Sequence, residues 1–161
     1  EMVTAYDGDQ FEEHNAARQI GSTGSKADVL NDLLRLQHLD RVCVDRYISR
    51  AALTRIRNEN PGMLLVVAAV DNDATRKMCV DTLQELPGDY LFVTPGNSDA
   101  DDPDAAIKGN VLWCGRVGDK TIGIPPTVLF PNIERPQDAI PRKGSCLDHA
   151  VSSPQLIPAN A

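Results

Sequence analysis

Apolar positions fall along this chain in two rhythms. Short unbroken apolar runs alternate with stretches in which apolar residues recur at helical spacing. Residues 3–6 form a first short run, closed by the acidic turn Asp7-Gly8-Asp9. From Lys26 onward, with Ser25 placed as N-cap, Val29, Leu30, Leu33, Leu34 and Leu36 share one broad face. Asp28, Asn31, Asp32 and Arg35 fall outside it, which predicts an amphipathic helix. Residues 41–44 predict a strand. Residues 49–60 predict a helix with Ala52, Leu53 and Ile56 inward, stopped by Pro61-Gly62. Residues 63–70 are apolar without alternation, the composition of a central parallel strand covered on both faces. Residues 75–86 predict the next helix, with Met78, Val80, Leu83 and Leu86 inward and Pro87-Gly88 as its stop. Residues 90–94 predict another strand.

Strand–helix alternation of this kind predicts an α/β fold with a mainly parallel sheet and right-handed crossovers. The whole of 1–161 is read as one domain, with 1–94 as its βαβ part and 95–161 as a loop-rich remainder. Asp99, Asp101, Asp102 and Asp104 make an acidic loop without the spaced ligands and glycine of a calcium loop, so it reads as solvated. Residues 110–115 predict a strand with a hairpin partner at 121–123. Pro125, Pro126, Pro131, Pro136 and Pro141 then predict an extended, helix-free crossover or lid. Pro154 and Pro158 break up whatever helix follows.

Composition narrows the function classes. The 161 residues carry a net charge of -7, which argues against nucleic acid or an anionic membrane as the main partner. ATP remains open, because it needs only a few local cations. No apolar run approaches the roughly 20 residues of a membrane span, no stretch reads as a signal peptide, and a cytoplasmic protein is expected. Cys43, Cys79, Cys114 and Cys146 stand alone with no CxxC pair. Reduced thiols are expected, with no zinc site.

The chemistry concentrates at the ends of two predicted strands. Asp7-Gly8-Asp9 is followed by His14-Asn15 and by Arg18-Gln19. A carboxylate at the carboxyl end of a strand suits ribose hydroxyls, and an Arg clamps phosphate with its fork of donors. The second strand end is Ala69-Val70-Asp71-Asn72, continued by Thr75-Arg76. Residues 21–26 resemble a phosphate loop only in composition, since the spacing is wrong and no apolar strand enters them. Lys26 in the first turn of a helix is disfavoured by the helix dipole unless an anion neutralises it, which supports a phosphate contact there.

The series D-G-D-x5-N-x2-R-Q, then Lys26-Ala27 opening a helix, then A-V-D-N-x-x-T-R after an apolar strand, resembles the ThiF/MoeB-type family. That family holds the adenylating domains of ubiquitin-activating enzymes. The resemblance covers about residues 2 to 115 and implies a Rossmann-like three-layer fold, with the Pro-rich part as an irregular C-terminal addition. It also implies a strand and glycine-rich turn before Asp7. The chain starts at Glu1 without them and is therefore expected to be an interior piece of a longer one.

The implied activity is ATP-dependent adenylation of the C-terminal carboxylate of a ubiquitin-like or sulfur-carrier protein. By the resemblance, Asp7 holds the ribose hydroxyls, and Asp9 is a further nucleotide-binding residue. Asn15, Arg18 and Lys26 hold the triphosphate, Asp71 holds Mg²⁺, and Gln19 and Asn72 position their neighbours. A homodimer or heterodimer is implied as well. Asn72 reads equally as a turn residue, and Arg76 as an ion-pair partner of Asp71 or Asp73. Cys146, beside Ser145 at a predicted helix start with His149 three residues on, is the candidate nucleophile. Two other readings stand beside this one: a non-catalytic partner subunit that binds a ubiquitin-like protein, and a nicotinamide-dependent oxidoreductase lacking the usual glycine fingerprint.

Overall fold

Residues 2–11, 24–37, 40–97 and 109–139 are described by the computed structural model. They fall into two units, Glu1–Ile48 and Ser49–Ile140. Among the described residues, no helix is long and apolar enough to cross a membrane.

In the first unit, strand β1 (Met2–Tyr6) is followed by two short strands, β2 (Gln10–Phe11) and β3 (Gly24–Ser25), then helix α1 (Lys26–Leu36) and strand β4 (Asp40–Val44). β1 and β4 pair in parallel from Met2↔Asp40 to Tyr6↔Val44. The Asp7 N–H extends the ladder by donating to the Val44 carbonyl at 3.2 Å. β2 and β3 form a two-residue antiparallel clasp, whose Phe11 and Ser25 are buried. Ser25 caps α1 as expected, its Oγ accepting from the Ala27 N–H at 3.1 Å. The predicted apolar face of α1 is only partly used. Ala27 is buried, whereas Leu33 and Leu36 are exposed.

The second unit holds α2 (Arg50–Glu59), β5 (Leu64–Val67), α3 (Asp73–Glu85), β6 (Tyr90–Asn97), β7 (Gly109–Val117), β8 (Lys120–Gly123), α4 (Pro126–Leu129) and α5 (Pro131–Glu134). Four strands make one sheet in the order β5-β6-β7-β8. Alternation puts Tyr90, Phe92 and Thr94 on one face, paired with Leu64, Val66 and Cys114 on the neighbouring strands. That face and the Cys79, Val80, Thr82 and Leu83 stripe of α3 form the core. Arg116 ties the C-terminal end of α3 to the sheet. Its guanidinium donates to the carbonyls of Gln84, Leu86 and Gly88 and lies 5.3 Å from the Tyr90 ring centroid.

The expected Rossmann-like three-layer fold with a mainly parallel sheet is not what forms. Among the described residues the strands make sheets of two, two and four. In the largest, β5–β6 is parallel while β6–β7 and β7–β8 are antiparallel. A parallel connection needs a crossover of a dozen or more residues, usually helical. Only eleven residues, 98–108, separate β6 from β7, and a two-residue turn with Gly118 at φ +58 folds β8 straight back on β7.

Two further expectations fail with it. Residues 63–70 read as a strand buried on both faces, yet among the described residues β5 is an edge strand with Leu65 and Val67 each 59% exposed. On the same face Val111, Trp113 and Val117 are exposed too. The Pro-rich stretch is not helix-free. Pro126 and Pro131 each start a short helix, at the one helical position where a missing N–H costs nothing.

Candidate functional site

The C-terminal ends of β1 and β4 meet in one corner, because the parallel register sets Tyr6 beside Val44. The chain leaves β1 through Asp7, whose Oδ1 accepts from the Asp9 N–H at 2.9 Å. This side-chain-to-backbone turn fixes the Asp7 carboxylate and aims the chain back toward α1. Gly8 is buried under the Tyr47 ring, and a Cβ there would lie 2.8 Å from it. Glycine is required because the two groups approach closer than any side chain allows.

Asp9 gathers the corner. Its backbone carbonyl accepts from the Lys26 N–H at 3.0 Å. Its carboxylate pairs with the Lys26 ammonium at 3.2 Å, the two side chains being 19% and 20% exposed. The Tyr47 hydroxyl donates to the same carboxylate. The anion that a lysine in the first turn of a helix calls for is here an internal carboxylate.

Asp7 is half-buried, and this burial raises its carboxyl above the usual value near 3.8. The Asp9 N–H opposes the rise, the Asp9 charge adds to it, Lys26 again opposes, and Asp45 adds a little. The net effect is a carboxylate held at some cost beside a cation, the kind of perturbed group that marks a functional candidate. A pocket of about 310 Å³ opens against this corner, lined by Gly8, Asp45, Arg46 and Tyr47. It sits at the small end of ligand-pocket sizes. A larger depression lies along α2, but its lining from Arg50 to Glu59 is one side of one helix with no converging groups.

Tyr47, Asp45 and Arg46 were not singled out from the sequence. The signal available was their place directly after a strand predicted at 41–44, beside which β1 had to end if the pair was parallel.

Asp71 and Asn72 belong to the second unit. Asp71 is exposed and makes no hydrogen bond or ion pair among the described residues. Asn72 is the N-cap of α3. Its Oδ1 accepts from both the N–H and the hydroxyl of Thr75 at 2.8 Å, and its amide donates to the Ala139 carbonyl at 2.7 Å. Asp138 supplies a second cap, accepting from the N–H groups of Asp73 at 2.7 Å and Ala74 at 2.9 Å. Arg76 pairs with Asp73 at 2.7 Å and also donates to Thr94 Oγ1 and the Val70 carbonyl.

The structure therefore brings Asp7, Asp9 and Lys26 together and builds the Asp71 turn as a rigid helix entry. Asn15, Arg18, Gln19 and Cys146 lie outside the described residues, as do His14, His38, His149 and the acidic loop.

The β1–β4 corner offers a nucleotide a carboxylate acceptor and a neighbouring cation. Asp7 Oδ2 makes no hydrogen bond among the described residues and remains an acceptor for a ribose hydroxyl. Mg²⁺ needs only one or two carboxylates beside phosphate oxygens; Asp71, the expected ligand, belongs to the second unit. Among the described residues no group of three His, Cys, Asp or Glu is placed to hold a metal ion. Burial pushes the thiols of Cys79 and Cys114 up to about 11, which makes both inert packing groups at neutral pH. Compared with known proteins, the chain matches no family model, no curated protein and no solved structure.

Proposed function

We propose that the chain binds ATP at the end of the β1–β4 pair and adenylates the C-terminal carboxylate of a small ubiquitin-like or sulfur-carrier protein, as a ThiF/MoeB-type enzyme would. The observation that carries the reading is the corner made by Asp7, Asp9 and Lys26. It sets a half-buried carboxylate with a spare oxygen beside an ammonium at a helix N-terminus. The reading needs the end of one parallel pair and no continuous sheet.

ATP supplies an activated phosphorus to the substrate carboxylate, with pyrophosphate as leaving group. The chain's residues would bind and position. Asp7 accepts from the ribose hydroxyls. Lys26 exchanges Asp9 for a phosphate oxygen, and Arg46 at the pocket rim adds a fixed cation. Asn15, Arg18 and Gln19 keep the phosphate-side roles that the resemblance gives them, and the Mg²⁺ role of Asp71 rests on the resemblance alone, as does the positioning role of Asn72. Phosphoryl-type displacement gains most from such positioning and fixed charge. A nucleophilic role for Cys146 rests on the resemblance alone.

A second reading has its own observation. Lys26 and the α3 N-terminus are each already neutralised by an internal carboxylate, Asp9 and Asp138. A partner subunit that binds a ubiquitin-like protein without catalysis could keep both contacts permanently.

ATP–pyrophosphate exchange separates the two. Exchange that needs both Mg²⁺ and a small protein ending in Gly-Gly is the expected result. Lys26→Met should lower it at least about tenfold, roughly 1.4 kcal/mol. ATP binding without exchange selects the partner subunit. Absence of ATP binding overturns the nucleotide corner itself.

A further inference from the structure

We infer that Tyr47 is a positioning residue of the nucleotide corner: it holds one oxygen of Asp9 so that Lys26 can leave the other for a phosphate. This role rests on the proposed ATP reading and supplies the group that makes the exchange of partners affordable to the fold. The Asp9 carboxylate divides its oxygens between two donors. Oδ2 takes the Lys26 ammonium at 3.2 Å, and Oδ1 accepts from the Tyr47 hydroxyl. Lys26 comes from the first turn of α1 and Tyr47 from the segment just after β4. Neither donor has to move when the other does.

The Asp9 side chain is only 19% exposed. Taking the cation away from such a carboxylate leaves a poorly solvated charge behind. A hydrogen bond that stays on the other oxygen offsets part of that cost and strengthens as the cation leaves. The donor is also of the right kind. A tyrosine hydroxyl is neutral and holds the carboxylate without cancelling its charge. Asp9 therefore keeps Lys26 in place until a phosphate arrives, which a second cation at residue 47 would prevent.

Tyr47 is built to stay. Its ring lies against Gly8, where a Cβ would come within 2.8 Å of it. Gly8 is fixed from both sides, by the Asp7 N–H on the Val44 carbonyl at 3.2 Å and by the Asp9 N–H on the Asp7 carboxylate at 2.9 Å. The Arg46 N–H donates to the same Val44 carbonyl at 2.7 Å, so the turn that carries Tyr47 is tied to the same strand end. The ring forms part of the wall of the 310 Å³ pocket, with Gly8, Asp45 and Arg46.

The test is calorimetry of Mg²⁺-ATP binding to the full chain and to its Tyr47→Phe, Asp9→Asn and doubly substituted forms. Tyr47→Phe keeps the ring over Gly8 and removes one oxygen. It should weaken ATP about three- to tenfold, part of what a hydrogen bond to a charged group contributes. In the Asp9→Asn background the same change should alter binding by less than about twofold, the limit for independent sites, because no carboxylate is left to strand. A tyrosine that only supports the fold would weaken binding equally in both backgrounds. Acylation of the Lys26 amine in nucleotide-free protein, read by mass spectrometry, gives a second readout. It should be slower in Tyr47→Phe than in the parent, since Asp9 then holds the ammonium harder, whereas a loosened fold would speed it. With ATP bound by the parent, any of four results overturns the role of Tyr47 and leaves the nucleotide reading standing: unchanged binding in Tyr47→Phe, an equal loss in both backgrounds, Lys26 acylated no more slowly, or no binding by Asp9→Asn. A parent that binds no ATP overturns the nucleotide reading, and the role of Tyr47 with it.

Discussion

The Asp9–Lys26 pair offers a measurement that reads structure and function together. Both side chains are about four-fifths buried and meet at 3.2 Å. A fully exposed pair couples by 0.2–1 kcal/mol and a charge-assisted hydrogen bond contributes about 1.5–3 kcal/mol. One-fifth exposure places this pair between those limits, at about 1–1.5 kcal/mol. Asp9→Asn keeps an acceptor for the Tyr47 hydroxyl and the backbone bond to Lys26, and removes the charge. Lys26→Met keeps the apolar stem. A double-mutant cycle of the two by urea denaturation isolates the coupling.

In the free protein the cycle should return about 1 kcal/mol or more. With saturating Mg²⁺-ATP it should fall toward zero, because Lys26 is proposed to leave Asp9 for phosphate. Coupling below about 0.3 kcal/mol without nucleotide, the limit of additivity for independent sites, would refute the geometric argument. Strong coupling that ATP binding leaves untouched would sink the phosphate role of Lys26 while leaving its structural role intact.

Two further predictions concern single groups. The native Asp7 carboxyl binds its proton more tightly than the unfolded chain does, since burial raises it above 3.8. Its stabilising contribution is thus complete below that value and lost as pH rises through the native one. Asp7→Asn keeps the Oδ1 acceptor and should melt no lower than the parent at pH 7, while ATP binding measured by calorimetry is lost. A lower melting temperature would mean that the charge stabilises the fold. Arg116→Met removes the donor to three carbonyls at the end of α3 and the contact with Tyr90. It should cost about 1.5–3 kcal/mol in urea denaturation, the range for hydrogen bonds from a charged group. A loss under about 0.5 kcal/mol would place Arg116 among ordinary surface side chains.

What could be read from the residues was whatever short-range chemistry decides. Ser25 and Ser49 cap their helices, as their types and places suggest. Asn72 does the same, which settles its turn reading and leaves its amide to hold Ala139. Arg76 had two acidic neighbours in reach, and helical spacing decides between them. Asp73 lies one turn back at i−3 and takes the pair, while Asp71 sits outside the helix. The Asp138 cap was not legible, because it comes from 64 to 65 residues away. The link from Tyr47 to Asp9 was hidden for the same reason. It depends on the β1–β4 register, which no local pattern carries.

The sheet shows where composition misleads. Residues 63–70 are apolar throughout, and that pattern reports how apolar the surroundings of a strand ought to be. It does not report which strands supply those surroundings. The β6–β7 pairing was open to a better reading, because no helical period separates residues 94 and 110. With only eleven residues, 98–108, between β6 and β7, an antiparallel return is the simple outcome. Once β7 and β8 follow that return, the four-stranded sheet grows away from β5 on one side only. The most apolar strand of the chain is then left at its edge, Leu65 and Val67 outward. The failed expectation about the fold thus has a plain physical origin: a strand with an interior composition that, among the described residues, its own sheet does not enclose.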